Sequence, residues 1–163
     1  MQMKYITDQE NGTRLFTDFL NETAEKLLKY KLSLGYHNHA YEIETMTPCG
    51  KRILDYLFDN TIENVHFTPD TFWIKAGGSD PEEYLKKLAG RTDIVHLKDY
   101  REEDSDPVMC ELGAGIFDFN RLISTSEASG ATDVVIELDN AEDPYQALEN
   151  SFKHLRKLGF LSA

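Results

Sequence analysis

Short apolar runs alternate with longer amphipathic stretches along the chain. The apolar runs are brief and rich in β-branched and aromatic residues, which predicts five strands, at 3–7, 32–38, 64–68, 93–99 and 132–139. The stretches between them place apolar residues three and four positions apart, which predicts helices at 13–30, 50–59, 79–88, 117–128 and 143–158. Strands separated by helices pair in parallel through right-handed crossovers, so the pattern indicates an α/β fold.

The length and composition indicate a single globular domain. The chain has 163 residues, 40% of them hydrophobic, and no linker or low-complexity tract, so we assign residues 1–163 to one domain. Its formal charge of −12 disfavours nucleic acid and membrane surfaces as partners. No apolar run is long enough to span a membrane, no signal peptide begins the sequence, and Cys49 and Cys110 form no CxxC pair. We therefore expect a cytoplasmic protein that binds a small molecule.

Polar residues that can carry chemistry follow four of the predicted strands. Ligands of parallel α/β folds bind at the carboxyl ends of the strands, where a strand core has no structural use for a charge. The side chains at these ends are His37, His39 and Glu42, then Asp70, then His96, Lys98 and Asp99, and finally Glu137, Asp139 and Asn140. Imidazole and carboxylate groups on a shared rim suit a divalent cation. The sequence therefore predicts a metal site at this edge.

Each of these residues also has an ordinary structural explanation. A single histidine on a strand is more often a core or surface residue, and we assign such a role to His66, inside its strand, and to His154, on the last helix. Asp70 follows Pro69 and could be a turn or helix-cap residue. Glu137 is harder to explain in that way, because it follows three apolar residues and a buried unpaired carboxylate costs several kcal/mol.

Five segments in series resemble a known family: LGYHNHAYEIE, PDTFW, DPEEYLKKLAGRTDIVHLKD, ELGAGIFDFNRLI and VVIELDN. They are similar to the sugar phosphate isomerase/epimerase group of xylose isomerase-like TIM barrels, whose relatives include inosose dehydratases and ketose 3-epimerases. The resemblance covers nearly the whole chain. A complete (β/α)₈ barrel takes about 250 residues, so the resemblance implies a partial barrel with the fourth to the eighth strand and without the first three.

The resemblance also implies a metal site and a sugar pocket. By position, the metal ligands of the family fall on His37, Asp70, His96 and Glu137. The ion would most often be manganese, with magnesium, zinc and cobalt as alternatives. The residues that would line the sugar pocket are Trp73 and Lys98, with His39 and Glu42 beside the first ligand.

These residues predict a metal-dependent sugar (phosphate) isomerase, epimerase or related lyase that removes a proton next to a carbonyl. Lys98 would hold a hydroxyl or carboxylate of the substrate. Epimerases of the family carry a glutamate at the position of His37, and its replacement here leaves Glu137 as the candidate base. Two alternatives stay open: a truncated member that binds metal or sugar without turnover, and a phosphodiesterase related to AP endonuclease IV, which the acidic charge disfavours.

Two further expectations concern a loop and the open side of the barrel. Segment 100–116 is polar and contains Pro107, Gly113 and Gly115, which predicts a lid over the site. A half barrel also leaves strand edges and an interior face uncovered. The apolar side chains expected on that face are Val65, Phe67, Val95, Val134 and Ile136 or their neighbours along each strand. We therefore predict a homo-oligomer, most simply a dimer.

Overall fold

The computed structural model describes residues 11–104 and 106–160. Within these ranges the elements are, in chain order, α1 (Gly12–Leu28), β1 (Leu34–His37), α2 (Tyr41–Glu44), α3 (Ile53–Asn60), β2 (Val65–Thr68), α4 (Thr71–Ala76), α5 (Pro81–Lys87), β3 (Ile94–Leu97), β4 (Asp99–Glu103), β5 (Asp106–Cys110), α6 (Phe119–Ala128), β6 (Asp133–Ile136) and α7 (Pro144–Lys157). The strand predicted at 3–7 lies outside the described residues. The other four predicted strands correspond to β1, β2, β3 and β6. None of the helices in these ranges has the length and apolar character needed to cross a membrane.

The parallel strands lie side by side in the order β1, β2, β3, β6. β1 pairs with β2, with His37 opposite Thr68, and β3 pairs with β6, with His96 opposite Val135. A single parallel bridge between Asp70 and His96 joins the two pairs. Parallel strands connected through helices confirm the predicted α/β fold, and four adjacent strands with their helices form part of a (β/α)₈ barrel.

Two hydrophobic clusters fill the space between the strands and the helices. The first lies around β1 and β2 and includes Phe16 and Leu20 of α1, Leu54 and Leu57 of α3, and Val65 and Phe67 of β2. The second lies around β3 and includes Val95, Leu97, Phe119, Leu122 and Leu155. Three of the helices that the sequence predicts begin at an aspartate whose side chain accepts one or two N–H groups of the first turn: Asp80, Asp118 and Asp143. Helix capping and the apolar stripes therefore place these helices where the sequence predicts them.

Segment 100–116 contains regular structure that the sequence analysis did not predict. β4 and β5 form an antiparallel hairpin, with Asp99 opposite Cys110. The hairpin reaches the carboxyl end of β6, where the N–H of Asp139 lies 3.3 Å from Met109 Sδ. Most of its side chains are exposed or half-buried, so the strands need no run of apolar residues and the pattern gave no signal. Closure of this segment over the site stays a prediction.

Most of the strand side chains expected on an uncovered apolar face instead pack against the helices. Val65, Phe67 and Val95 are buried. Alternate residues of a strand face opposite sides, so the neighbours of these three line the other face of the sheet. β6 differs, because it lies at the edge of the described sheet and exposes Val134 by 37% and Val135 by 39%.

The two histidines assigned to ordinary structural roles have partners of their own. His66 Nδ1 lies 2.6 Å from Asp93 Oδ2. The His154 ring contacts Phe119 edge-on, with the ring centroids 5.8 Å apart, and is half-buried rather than fully solvated. Neither residue belongs to the cluster described next.

Candidate metal centre

Four side chains converge at the carboxyl ends of the parallel strands. His37 ends β1, Asp70 follows β2, His96 lies near the end of β3, and Glu137 follows β6. Each residue offers one nitrogen or oxygen atom, and these atoms all lie within 4.8 Å of one another. We call these four residues the quartet. The structure thus brings together the residues for which the sequence predicted a metal-binding role.

The quartet consists of two imidazole–carboxylate pairs. His37 Nε2 lies 3.1 Å from Asp70 Oδ2, and His96 Nδ1 lies 2.6 Å from Glu137 Oε2. The two imidazole rings are neighbours, with centroids 4.6 Å apart. Zinc, manganese and similar divalent ions accept such a mixture of nitrogen and oxygen ligands. The donor set therefore fits a divalent cation.

Asp70 is both a helix cap and a member of the quartet. Its Oδ1 accepts the N–H of Trp73 at 3.0 Å and so caps α4, and its own N–H donates to Asn38 Oδ1 at 3.1 Å. The residue is fully buried. The sequence left a cap and a functional residue as alternatives, and the structure assigns one carboxylate oxygen to the cap and the other to the quartet.

Lys98 is buried among three carboxylates. Its Nζ lies 3.0 Å from Asp70 Oδ2, 3.0 Å from Glu137 Oε2, and 2.9 and 3.0 Å from the two oxygens of Asp139. Burial alone would lower the pKa of Lys98, but the hydrogen bond to Asp139 and the nearby carboxylates raise it above its ordinary value. Partial burial would raise the pKa of Glu137, but Lys98 and then His96 lower it below its ordinary value. Both groups are therefore charged at neutral pH.

Two aromatic side chains border the quartet. His39 is exposed, and its ring centroid lies 5.0 Å from that of His37 and 5.3 Å from that of Trp73. The Trp73 ring also lies 5.7 Å from Lys98 Nζ. Among the described residues, the buried Nε1 of Trp73 has no hydrogen-bond partner. The indole therefore contributes a donor that no described residue satisfies.

Glu42 is buried, and other groups of the chain use both of its carboxylate oxygens. Oε1 accepts the hydroxyl of Tyr36 at 2.7 Å, and Oε2 accepts the N–H of His39 at 2.9 Å. Burial, together with the charge of Glu42, raises the pKa of Tyr36 far above its usual range. These bonds fix the segment that carries His37 and His39. Contact of Glu42 with a substrate stays a prediction, and the structure shows it supporting this segment.

Two aspartates near the quartet have roles that the sequence pattern did not separate. Asp139, two residues after Glu137, binds Lys98 through both of its oxygens. Asp99 is fully buried, and its side chain binds the backbone. Its carboxylate accepts N–H groups from Tyr100, Gly113, Gly115 and Phe117. In the sequence, both acids lie at the end of a predicted strand and look alike. Their different partners in the structure, Lys98 for Asp139 and the backbone for Asp99, give them different roles.

Comparisons with known proteins agree with this architecture. The family model described as a xylose isomerase-like TIM barrel matches residues 5–158. An inosose dehydratase of Clostridium perfringens is 32% identical over 106 residues, which are 64% of this chain and 34% of that protein. An inosose dehydratase of Geobacillus kaustophilus is 35% identical over 99 residues, which are 60% of this chain and 30% of that protein. The match thus spans about a third of the length of these curated relatives.

Solved structures show the same fold. A sugar phosphate isomerase/epimerase from Parabacteroides distasonis superposes with a TM-score of 0.77 at 21% identity, covering 94% of this chain and 55% of that one. The IolI protein, solved with a bound zinc atom, superposes with a TM-score of 0.69 at 20% identity, covering 95% of this chain and 59% of that one. At such identities the likeness establishes the fold alone. The family model covers nearly all of the sequence, and the chain belongs to the xylose isomerase-like TIM barrel family.

Proposed function

We propose that this chain is part of a metal-dependent enzyme that acts on a sugar or keto-sugar. The observation that carries the proposal is the quartet, whose four ligand atoms lie within 4.8 Å of one another. The inosose dehydratases and the sugar phosphate isomerase/epimerase among the similar proteins support the substrate class. We favour manganese as the ion, with magnesium, zinc and cobalt as alternatives. The zinc atom of the IolI protein supports a divalent ion without selecting one.

The residues around the quartet suit proton removal next to a carbonyl. A bound divalent ion would supply Lewis acidity and stabilise the negative charge that develops on the substrate. Glu137 is the proposed base, because its carboxylate is ionised and about one third exposed. Lys98 would hold a hydroxyl or carboxylate through its ammonium group, and Trp73 would cover an apolar face of the sugar. We propose that His39, at the exposed end of the aromatic pair, contacts the substrate as well.

Proton removal next to a carbonyl begins three related reactions. Isomerisation and epimerisation return the proton to a different atom or a different face, whereas a dehydratase expels a hydroxyl group from the neighbouring carbon. We propose an isomerase or epimerase, and the curated relatives keep a dehydratase as the related alternative. The second candidate is a family member that binds metal or sugar without turnover, since the quartet alone would suffice for binding a metal. A nuclease is disfavoured by the net charge of −12.

Glu137→Gln tests the proposed base. The unsubstituted chain should contain a divalent metal by elemental analysis and should exchange a C–H proton of a sugar or keto-sugar with deuterated solvent, measured by NMR. Glu137→Gln should lower the exchange rate by about 10²–10⁴-fold, because the amide cannot accept the proton. Glu127→Gln, an exposed acid on α6, is the matched control and should exchange normally.

The outcomes separate the candidates. Full exchange in Glu137→Gln removes Glu137 as the base. Metal binding and a thermal shift with sugars, without exchange in the unsubstituted chain, favour the non-catalytic alternative. An unsubstituted chain that binds no divalent metal contradicts the proposed function as a whole.

We also propose that the chain associates with a second copy. Three apolar residues of α7 are exposed at helical spacing: Tyr145, Leu148 and Phe152. α7 contacts β6, the edge strand that exposes Val134 and Val135. Exposed apolar patches and strand edges mark association surfaces, and a twofold contact covers the same patch on both copies.

A further inference from the structure

A divalent cation at the quartet would compete with Lys98 for carboxylate oxygens of Asp70 and Glu137. Asp70 Oδ1 accepts the N–H of Trp73, so Oδ2 is the oxygen that Asp70 can offer to a cation. Glu137 Oε2 contacts His96 within the quartet. Both Asp70 Oδ2 and Glu137 Oε2 lie 3.0 Å from Lys98 Nζ. A cation bound to these oxygens would repel the ammonium at close range, so Lys98 needs another partner when the quartet is loaded.

Asp139 provides that partner. Both of its oxygens lie within hydrogen-bond distance of Lys98 Nζ, at 2.9 and 3.0 Å. Asp70 and Glu137 each contact the ammonium through a single oxygen. The Lys98 side chain is 1% exposed, so bulk water cannot replace a partner that it loses. Asp139 lies outside the quartet and can keep Lys98 while the quartet binds a cation.

The net charge around Lys98 also indicates a role for Asp139. Three carboxylates surround one ammonium, which leaves two negative charges when the imidazoles are neutral. A divalent cation balances these charges without any change in protonation. Without the charge of Asp139, the loaded group would carry an excess positive charge, and the two carboxylates left beside Lys98 would both be metal ligands.

We propose that Asp139 is a positioning residue for metal binding. It holds the Lys98 ammonium away from Asp70 Oδ2 and Glu137 Oε2 when a divalent cation occupies the quartet. This inference rests on the proposed function, because it requires that the quartet binds a metal. It concerns affinity for the metal and is therefore testable without substrate or turnover.

Calorimetric titration with Mn²⁺ tests the inference on three proteins: the unsubstituted chain, Asp139→Asn and Asp133→Asn. Asp133 begins β6 at the end opposite the quartet, so its substitution removes the same charge at a distance. Asp139→Asn should weaken Mn²⁺ binding by about 10–100-fold, the usual cost of losing a residue that supports metal ligands. Asp133→Asn should change the affinity by less than about twofold, since exposed distant charges are screened. Equal affinities of Asp139→Asn and the unsubstituted chain, or equal losses in both variants, overturn the inference.

A second pair of variants separates the lost partner of Lys98 from the lost charge. Lys98→Gln removes the competing ammonium, so Asp139→Asn should cost much less Mn²⁺ affinity in that background than in the unsubstituted one. The same loss in both backgrounds means that Asp139 acts through its charge alone, and the inference is then wrong. If Lys98→Gln does not fold, Lys98→Met replaces it. The comparison of Asp139→Asn with Asp133→Asn does not depend on either Lys98 variant.

The inference and the proposed function fail in different ways. An unsubstituted chain that binds no Mn²⁺ contradicts both. Tight binding of Mn²⁺ by the unsubstituted chain and by Asp139→Asn alike contradicts the inference alone and leaves the quartet as a metal site.

Discussion

Replacing Asp99 with Asn should destabilise the fold through the segment that follows the hairpin. The Asp99 carboxylate is fully buried and accepts four backbone N–H groups. Oδ1 accepts from Tyr100 and Phe117, at 2.8 and 3.1 Å. Oδ2 accepts from Gly113 and Gly115, at 2.9 and 3.0 Å. A single side chain thus fixes the path from β5 to α6.

The magnitude follows from what an amide can accept. Asn has one acceptor oxygen and an NH₂ group, so two of the four backbone N–H groups would face a donor. Each hydrogen bond to a charged group contributes about 1.5–3 kcal/mol, and a neutral amide recovers part of that sum because it is easier to bury than a carboxylate. We expect Asp99→Asn to lower the free energy of unfolding by about 2–4 kcal/mol, a large share of the stability of a typical domain.

Urea denaturation followed by circular dichroism measures the change. The matched control is Asp118→Asn, because Asp118 also accepts two backbone N–H groups, from Asn120 and Arg121, but at an exposed helix cap. Asn caps helices about as well as Asp, so the control should change the free energy by no more than about 0.5 kcal/mol. Equal urea midpoints for Asp99→Asn and Asp118→Asn would refute the reasoning.

Two further predictions concern association and the cysteines. Light scattering after size-exclusion chromatography at micromolar concentration should give the mass of two chains. Phe152→Lys should give the mass of one chain, because it places a charge on the exposed face of α7. A stable monomer of the unsubstituted chain contradicts the proposed dimer. A disulfide reagent at about pH 8 should modify Cys49 well before Cys110. The hydrogen bond from Thr47 lowers the pKa of the exposed Cys49 thiol, whereas burial raises the pKa of Cys110 to about 11, and equal rates would contradict this account.

The sequence predicted the parallel strands and longer helices because their patterns are set by burial. Phe67 and Val95 alternate with half-buried or exposed residues. Leu20, Leu57 and Leu122 lie on helix faces that pack in the same clusters as the strands. α2 and α4 are too short to show a helical period, and the hairpin is mostly exposed or half-buried, so these elements went unpredicted. Val134 and Val135 belong to an apolar run that correctly predicts β6, and they lie exposed at the edge of the described sheet.

The site was predicted as a set of residues but not as an arrangement. Position after a strand, together with the family resemblance, selected the quartet. It could not reveal that Lys98 lies among three carboxylates, that Glu42 is used by Tyr36, or that Asp99 binds backbone N–H groups. Those contacts depend on side-chain directions across elements distant in the sequence. Such directions carry no periodic signal.

Asp70 caps α4 through one oxygen and belongs to the quartet through the other, so a ligand of the quartet would be coupled to local order in α4. A ligand that draws on Oδ2 acts on the same carboxylate whose Oδ1 holds the first turn of the helix. By reciprocity, if a ligand at Oδ2 changed the stability of this turn, forming the turn would change the affinity for that ligand by the same free energy. Trp73 donates the capping N–H, and its indole ring lies beside Lys98. A change in the order of this turn would therefore also move the ring. Through this cap, the position of Trp73 would depend on whether the quartet binds a ligand.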